Sequence, residues 1–489
     1  MTRQRVRLTD VSLTDGQAVV WAGGMTTPMV GALARQMAAA KPSAIEVCSP
    51  ATMRQCVARG EDPWQRIDLV RARCPGLALR AVLGLVTDHG KRGADLISQD
   101  LAVQWLRQLA QHGVGEVLVI DPWLDMQRVG PLLSEATRLG MAPTVALHFS
   151  ADAELTDTIL YQQAAAAAAG GAARVMLRDE SGVMTPDRLA ILLPALRQAL
   201  GATPLDLHLG CQSGLGPLVA LEAVRLGVDG LDTAFAPLAN GASLPSLGTL
   251  VKSSRLLGLD SAVDGVSLPA IDAVNDELVA FVERHGFPAA TPWAFTLQTY
   301  VHQLPGAVAA DFIARVDALA CSPKLGAFAE ECARIRGELG QPAMVTPFAR
   351  AIAEQAWLHL QGLPRYAELH PGVRLIIQQV YGAMPGSIDS RLARRVGRIA
   401  KQSALSLKAL HVQHPGVDDA ALVLSQVCGV PPASLPLPAS MDALFYVATK
   451  PADALIAGVS ARAARFAQIK VSGPGLAVQM CGGEDVLHV

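Results

Sequence analysis

Residues 174–200, RVMLRDESGVMTPDRLAILLPALRQAL, decide the fold class because they contain one complete structural unit. The apolar run RVMLRD, 174–179, has the length and composition of a buried strand. The segment TPDRLAILLPALRQAL, 185–200, follows a short polar loop and carries apolar residues at helical spacing. A near-continuous apolar strand followed by an amphipathic helix is the βα unit of parallel sheets that are covered on both faces.

Seven further apolar runs, each followed by a helix-like segment, repeat this pattern in the first half of the chain. The predicted strands are VRLTDVSL (6–13), AIEVCS (44–49), LALRAVLG (77–84), GEVLVID (115–121), PTVALHFS (143–150), RVMLRD (174–179), LDLHLG (205–210) and GVDGLDTA (227–234). Eight βα units in about 250 residues are the usual size of a (β/α)₈ barrel. We therefore expect an α/β protein that begins with a TIM barrel.

Polar side chains cluster at the carboxyl ends of the predicted strands, where TIM-barrel enzymes place their active sites. These ends carry Asp15, Cys48, Val82, Asp121, His148, Arg178 with Asp179, His208 with Cys211 and Gln212, and Asp232 with Thr233. The carboxyl ends of all eight strands meet at one face of a barrel, so we expect a polar site there.

The composition excludes several classes of partner. The chain has 489 residues with 41 Lys and Arg against 43 Asp and Glu, which gives no basic surplus for binding nucleic acid. The alanine-rich run from Ala164 is too short to span a bilayer, and the N-terminus lacks an apolar signal core. Eight cysteines without CxxC spacing favour buried thiols in a reducing compartment. We expect a cytoplasmic protein that does not insert into membranes.

Three domains are expected from the length and from a change of pattern after about residue 243. Residues 1–260 form the barrel, and residues 261–435 read as helices interrupted by Pro and Gly. Residues 436–489 are a small mixed α/β tail.

The chain resembles the carboxyltransferase component of the biotin-dependent pyruvate carboxylase and oxaloacetate decarboxylase α-subunit family. The matching segments occur in the family's order along most of the chain. They are LTDVSLTDGQAVVWAGGMTTPMV (8–30), GEDPWQRIDLVRARCP (60–75), LRDESGVMTP (177–186), GVDGLDTAFAPLANGASLPS (227–246), HQLPGAV (302–308) and LGQPAMVTPFARAIAEQA (339–356). The resemblance implies a TIM barrel, a helical domain behind it, and a dimer built through both regions.

The resemblance also implies a divalent metal, held by an aspartate, a carbamylated lysine and two histidines. The aspartate is Asp15 and the first histidine is His208, but Arg178 stands at the lysine position and Gly210 at the second histidine position. An arginine is not deprotonated in proteins and so cannot form a carbamate. Two ligands remain where Zn or Mn sites normally use three or four, so we expect no metal.

The substrate groups implied by the resemblance are changed as well. Thr14 and Ala18 replace an arginine and a glutamine that flank the aspartate, and Ala242 replaces a threonine thought to shuttle a proton. The arginine that grips the pyruvate carboxylate falls at Val82; Arg80 is two residues away, about 6–7 Å along the same face of a strand. These losses predict an acceptor other than pyruvate.

We expect an ion pair between Asp15 and Arg178 in place of the metal, with His208 and Gln212 as candidate partners. The candidate catalytic residues are Asp15, Arg178 and His208. The candidate substrate contacts are Gln212, Cys211, Asp179, His148 and Asp121. Each has a plainer alternative: a structural ion pair for Asp15 and Arg178, a buried thiol for Cys211, and hydrogen-bonding residues of the barrel mouth for the others.

Two functions remain open. The protein is either a carboxyltransferase that uses a non-pyruvate acceptor, or a non-catalytic paralogue that serves as a scaffold or regulatory subunit of a carboxylase complex. The tail lacks the Met-Lys-Met of biotin carriers, so any biotin is expected on a separate carrier protein. The expected partners are biotin carrier and biotin carboxylase subunits and a second copy of the chain.

Overall fold

The computed structural model describes most of the chain. The described residues are 5–88, 93–152, 156–263, 265–317, 323–362, 364–382, 384–396, 404–436, 468–473 and 476–481. Strands occur at Arg7–Asp10 (β1), Ala44–Cys48 (β2), Ala78–Gly84 (β3), Val86–Asp88 (β4), Ala94–Leu96 (β5), Glu116–Ile120 (β6), Ala142–His148 (β7), Arg174–Asp179 (β8), Leu205–Leu209 (β9), Gly230–Thr233 (β10), Gln468–Gly473 (β11) and Leu476–Cys481 (β12).

Eight of these strands close into a barrel in the order β1-β2-β3-β6-β7-β8-β9-β10, and every pair within it is parallel. All eight predicted runs therefore contain a barrel strand, and the predicted TIM barrel is confirmed. The ladder between β8 and β9 pairs Arg178 with His208. This register sets two of the predicted site residues side by side.

The first and last predicted strands, 6–13 and 227–234, are too long. β1 ends at Asp10 because the chain winds into a π-helical turn over Ser12–Gly16. β10 begins only at Gly230, since Gly227 adopts the left-handed conformation that ends the preceding helix. The antiparallel hairpin of β4 and β5 was not predicted.

Helices surround the barrel and make up most of the rest of the described chain. They are Gln17–Val20 (α1), Thr27–Ala39 (α2), Pro50–Ala58 (α3), Pro63–Arg73 (α4), Gln99–Gln111 (α5), Met126–Arg138 (α6), Asp157–Ala169 (α7), Pro186–Leu200 (α8), Gly216–Leu226 (α9), Leu247–Leu256 (α10), Leu268–His285 (α11), Gln298–His302 (α12), Gly306–Asp317 (α13), Pro323–Glu338 (α14), Thr346–Leu360 (α15), Pro371–Ile377 (α16), Ser390–Val396 (α17), Leu407–Gln413 (α18) and Asp419–Cys428 (α19).

Two large apolar cores hold these elements together. The first contains the barrel and its helices, and it also includes Leu278 of α11 and Leu422 of α19. The second is formed by α13 to α17 and includes Val86 and Ala94 of the β4–β5 hairpin. The predicted helical region behind the barrel is therefore present. The domain boundaries at residues 260 and 435 stay predictions.

Most of the predicted mixed tail, 436–489, lies outside the described residues; the described part of it is chiefly the antiparallel hairpin of β11 and β12. Within the described ranges, no helix combines the length and the apolar character needed to cross a membrane.

Candidate functional site

Three predicted residues meet at the carboxyl end of the barrel. Asp15 lies in the π-helical turn after β1, Arg178 near the end of β8, and His208 beside it on β9. Nη2 of Arg178 lies 3.7 Å from Oδ2 of Asp15, and Nε2 of His208 lies 3.4 Å from the same oxygen. Two guanidinium nitrogens each lie 3.4 Å from a ring nitrogen of His208. The structure thus contains the predicted ion pair, with His208 as its third member.

The three side chains differ in access to solvent. Arg178 and His208 are almost fully buried, with exposed side-chain fractions of 8% and 5%, whereas Asp15 is 36% exposed. Asp15 is therefore the charged group of this trio that a small molecule reaches first.

Glu180 was not predicted, yet it is the closest charged partner of Arg178. Nε of Arg178 donates a hydrogen bond of 3.0 Å to Oε1 of Glu180. Burial opposes ionisation of Glu180, but the positive charge of Arg178 outweighs it and holds the pKa of this carboxyl below its usual value. The only signal in the sequence was a second acidic residue directly after Asp179 in the loop that follows β8.

A buried charge network lies beneath the trio and connects to it through His208. Nδ1 of His208 lies 3.0 Å from Oδ2 of Asp232, which also accepts a 2.8 Å bond from Nη2 of Arg80. Nε of Arg80 donates to Oε2 of Glu46 over 2.8 Å. Burial opposes ionisation of Asp232, but Arg80 and His208 outweigh it and hold its pKa below the ordinary value. The network fixes the position of the imidazole ring.

The positions of the missing pyruvate groups are filled by this network and by an apolar cluster. Thr14, at the first changed position, donates a 2.6 Å hydrogen bond to Oε1 of Glu46. Val82 packs inside the barrel with Leu118, Ala146 and Met176. Arg80, the neighbouring candidate, is 3% exposed and already holds two carboxylates. Its guanidinium is therefore committed to the barrel interior.

The donor set does not fit a divalent metal. Of the four positions implied by the resemblance, only Asp15 and His208 carry ligand groups, and the permanent cation of Arg178 lies within 3.7 Å of both. A Cβ atom at Gly210 would clash with Oε1 of Gln212 and lie 3.0 Å from the backbone nitrogen of Gly182. Among the described residues, no three His, Cys, Asp or Glu side chains are grouped to hold a metal ion.

Gln212 and Cys211 follow β9 but have different surroundings. Nε2 of Gln212 donates 2.8 Å to the backbone oxygen of Glu180, while Oε1 is buried and has no hydrogen-bond partner in the described part of the chain. Gln212 thus braces the loop after β8 rather than pairing with Asp15 or Arg178. Cys211 is 2% exposed, and burial raises the pKa of its thiol far above the range of a reactive cysteine.

Asp179 and Asp121 support loops. Asp179 accepts hydrogen bonds from the backbone nitrogens of Val183 and Met184, at 3.0 and 2.7 Å. Burial raises its pKa to about 6 against the effect of these bonds. Asp121 accepts from Arg128 and from the backbone nitrogen of Asp125. Their assignment as substrate contacts stays a prediction, and these bonds favour the plainer alternative.

His148 ends β7 beside a separate cavity of about 210 Å³, which Asp121 and Trp123 also line. The side chain is 8% exposed, and neither ring nitrogen has a hydrogen-bond partner among the described residues. Its nearest carboxylate oxygen, on Glu180, is 3.7 Å away. Burial lowers the pKa of His148 to about 4, so the ring is neutral at pH 7.

A smaller cavity of about 80 Å³ lies directly over the trio. Asp15, Arg178, Glu180 and His208 line it on the barrel side, and Gly306 lines it at the start of α13. The barrel thus supplies the charged groups and the helical region closes the opposite wall. This is the arrangement of a candidate active site at the mouth of a TIM barrel.

Proteins of known identity are similar to this chain in sequence. A pyruvate carboxylase subunit from Methanocaldococcus jannaschii is 23% identical over 398 residues, which are 80% of this chain and 68% of that relative. The 2-oxoglutarate carboxylase large subunit of Hydrogenobacter thermophilus is 24% identical over 427 residues, 86% of this chain and 64% of its own length. No protein-family model matches the sequence.

Among solved structures, the carboxyl transferase domain of Rhizobium etli pyruvate carboxylase with pyruvate superimposes with a TM-score of 0.77 at 20% identity, covering 91% of this chain and 77% of that domain. The fold is therefore that of a carboxyltransferase TIM barrel with a helical region behind it. In sequence, the chain is similar to the carboxylase and carboxyltransferase subunits named above and to a methylmalonyl-CoA carboxyltransferase subunit of Propionibacterium freudenreichii, which is 21% identical over 80% of this chain and 76% of that relative.

Proposed function

We propose that the protein transfers a carboxyl group from biotin, held on a separate carrier chain, to an acceptor other than pyruvate and without a divalent metal. The observation that carries the proposal is the Arg178 guanidinium, fixed within 3.7 Å of both Asp15 and His208 in a cavity at the barrel mouth. A fixed cation in a cavity supplies electrostatic stabilisation of the kind that a metal ion supplies elsewhere.

The residues have separate roles in this proposal. Asp15, the exposed carboxylate, takes a proton from the carbon next to the acceptor's carbonyl group, and the electron pair of the broken C–H bond forms an enolate. Arg178 stabilises the negative oxygen of that enolate through its N–H groups. His208, positioned by Asp232, fixes the carboxylate of Asp15. Carboxybiotin, when bound, would supply the carboxyl group: the enolate carbon would form a bond to it as its bond to the biotin nitrogen breaks, and that nitrogen would keep the electron pair and take the proton held by Asp15.

A non-pyruvate acceptor is supported by the positions that would hold pyruvate. Val82 belongs to an apolar cluster and Arg80 is bound to Glu46 and Asp232, so neither offers a free guanidinium to a carboxylate. Ala242 has no hydroxyl group to move a proton. Two relatives are named for different acceptors, pyruvate and 2-oxoglutarate, so the architecture accommodates more than one acid.

The relatives are named as subunits, which supports association of this chain with others. We include biotin carrier and biotin carboxylase subunits, a homodimer and a cytoplasmic location in the proposal.

One observation favours the alternative, a scaffold or regulatory subunit without activity. Every charged group that lines the 80 Å³ cavity already has a partner of opposite charge within 4 Å: Asp15 and Glu180 with Arg178, and His208 with Asp15. A site with its charges satisfied internally gains less from binding a substrate.

The test is transfer of a labelled carboxyl group from a carboxylated biotin carrier to a panel of 2-oxo acids and acyl thioesters, with each product identified. We expect Arg178→Met to lower kcat by about 10²- to 10³-fold, the usual effect of removing one oxyanion donor. Arg138→Met, which removes a 61% exposed arginine on α6, is the matched control and should leave kcat unchanged. No transfer to any acceptor, together with co-purification with an active carboxylase, would establish the scaffold function instead.

A further inference from the structure

A third cavity, of about 130 Å³, adjoins the candidate active site. It shares Asp15, Arg178 and Glu180 with the cavity over the trio, but it extends away from His208 towards α3. Its far wall includes Arg54, in the middle of α3, and the first residues of that helix. A molecule in this cavity would therefore contact the Asp15–Arg178 pair at one end and Arg54 at the other.

The charges of this cavity are paired, with one exception. Four carboxylates line it, and each has an arginine partner within 4 Å: Asp15 and Glu180 with Arg178, Glu46 with Arg80, and Asp88 with Arg350. Arg54 has neither an ion pair nor a hydrogen bond to any described residue, and its Nη1 is buried without a partner.

Arg54 is partly buried, and a buried guanidinium nitrogen without a partner is unfavourable in the free protein. Burial lowers the pKa of Arg54; the negative charge of Asp88 opposes this effect without cancelling it, and the positive charge of Arg350 adds to it. Leaving a charged donor unsatisfied costs more than the hydrogen bond itself would contribute. The amino-terminal end of α3, at Ser49–Ala51, lines the same cavity and adds the positive end of a helix dipole. Both features favour a bound anion.

We propose that Arg54 binds the carboxylate of the acceptor and is a specificity-determining residue of this site. The proposal rests on the proposed carboxyl transfer, because it assigns the acceptor's orientation: the carboxylate on Arg54 and the reacting carbon beside Asp15 and Arg178. The planar fork of an arginine suits a carboxylate through two parallel hydrogen bonds.

Phosphate binds arginine in the same manner, but the cavity favours the smaller charge. A carboxylate carries one negative charge, whereas a phosphate group carries about 1.5 to 2 at pH 7. The four carboxylates in the wall repel a doubly charged anion more strongly. The acceptor is therefore an organic acid that is held by its carboxylate.

The test is calorimetric titration of the full chain with propionate, a single carboxylate, with propionamide as the neutral control and inorganic phosphate as the competing anion. We expect propionate to bind at millimolar concentration and Arg54→Gln and Arg54→Met to weaken it about 10- to 100-fold, the loss of one charged hydrogen-bonding partner. Arg138→Gln, an equal change of charge on the exposed face of α6, should bind propionate as the wild type does.

Thermal unfolding of the ligand-free variants separates a binding role from a structural one. Arg54→Met should leave Tm unchanged or raise it, because it removes an unpaired charge. A lower Tm, unchanged propionate affinity, no propionate binding to the wild type, or tighter binding of phosphate than of propionate would each overturn the proposal. Propionate binding that needs Arg54 in a protein without carboxyl transfer would keep the site and remove the proposed function. Carboxyl transfer with an unchanged acceptor KM in Arg54→Gln would keep the proposed function and remove Arg54 as the binding site of the acceptor.

Discussion

Replacing Arg80 by methionine tests the buried network beneath the site. Arg80 joins Glu46 and Asp232 through two 2.8 Å contacts, and all three side chains are at most 3% exposed. The substitution keeps an unbranched, flexible side chain but removes the guanidinium, so it leaves two carboxylates buried beside each other without this cation. Breaking a buried ion pair by removing one partner costs about 3–5 kcal/mol. We expect Arg80→Met to lower the free energy of unfolding at pH 8 by that amount.

The pH dependence of this loss follows from the pKa values. In the wild type, the pKa of Asp232 is depressed, so its contribution to stability is present above the unfolded value of about 3.9 and is lost as the pH falls through the folded value. Without Arg80, burial raises the folded pKa of both carboxylates, so the variant loses stability as the pH rises above about 4. The difference between wild type and variant should therefore shrink from pH 8 towards pH 4.

Urea unfolding at several pH values measures both quantities. Arg138→Met removes an exposed pair with Glu135 and should leave the free energy of unfolding nearly unchanged at every pH, because water screens that pair. Adding Glu46→Gln to Arg80→Met should recover part of the loss, since one buried charge disappears. A loss below about 1 kcal/mol at pH 8, or a difference that grows as the pH falls, would refute the assignment of the network as a paired and ionised cluster.

Three further outcomes are expected. Burial lowers the pKa of His148 to about 4; the charge of Glu180 opposes this effect, and the charges of Arg178 and His208 add to it. The free energy of unfolding should therefore fall by up to about 3 kcal/mol as the pH falls from 6.5 to 4. Urea unfolding of His148→Leu should lack this pH dependence, and an equal dependence in the variant would contradict the prediction. Treatment with EDTA should leave Tm and any carboxyl transfer unchanged, since the donor set lacks two ligands; stoichiometric Zn or Mn by elemental analysis, lost with a fall in Tm, would refute this. A thiol reagent should label none of the six buried cysteines of the described chain in the native state, because burial raises the pKa values of their thiols. Peptide mass spectrometry identifies any labelled residue, and rapid labelling of Cys211 would contradict this prediction.

The barrel was predictable because each of its strands can be recognised from the local sequence alone. A parallel strand that is buried on both faces must be almost wholly apolar, so eight short apolar runs identify eight strands without any long-range information. The strand ends were less well predicted. Where the chain turns, at Ser12–Gly16 and at Gly227, backbone conformation decides the boundary, and apolar composition continues past it.

Of the site residues, only those at or just after the ends of barrel strands were predictable from the sequence. Arg178 and His208 lie near the carboxyl ends of the neighbouring strands β8 and β9, and Asp15 follows β1, which is separated from β9 only by β10, so barrel closure brings the three together. Glu180 and Arg54 were missed for different reasons. Glu180 lies in a loop, where no periodicity gives the direction of the side chain. Arg54 lies on a helix, and the wall it contributes to exists only once that helix packs over the barrel mouth.

The changes around Arg178 form one consistent arrangement rather than a set of separate losses. A lysine at position 178 would leave Glu180 without the Nε donor that it now accepts from, at 3.0 Å. A histidine at position 210 would displace the Gln212 side chain, whose amide nitrogen holds the backbone of Glu180. Both replaced positions are thus linked to Glu180: Arg178 donates to its side chain, and Gly210 leaves room for the Gln212 side chain that donates to its backbone oxygen. Restoring one ligand alone would break this set of contacts, so we expect a metal site to return only when positions 178, 180, 210 and 212 are changed together.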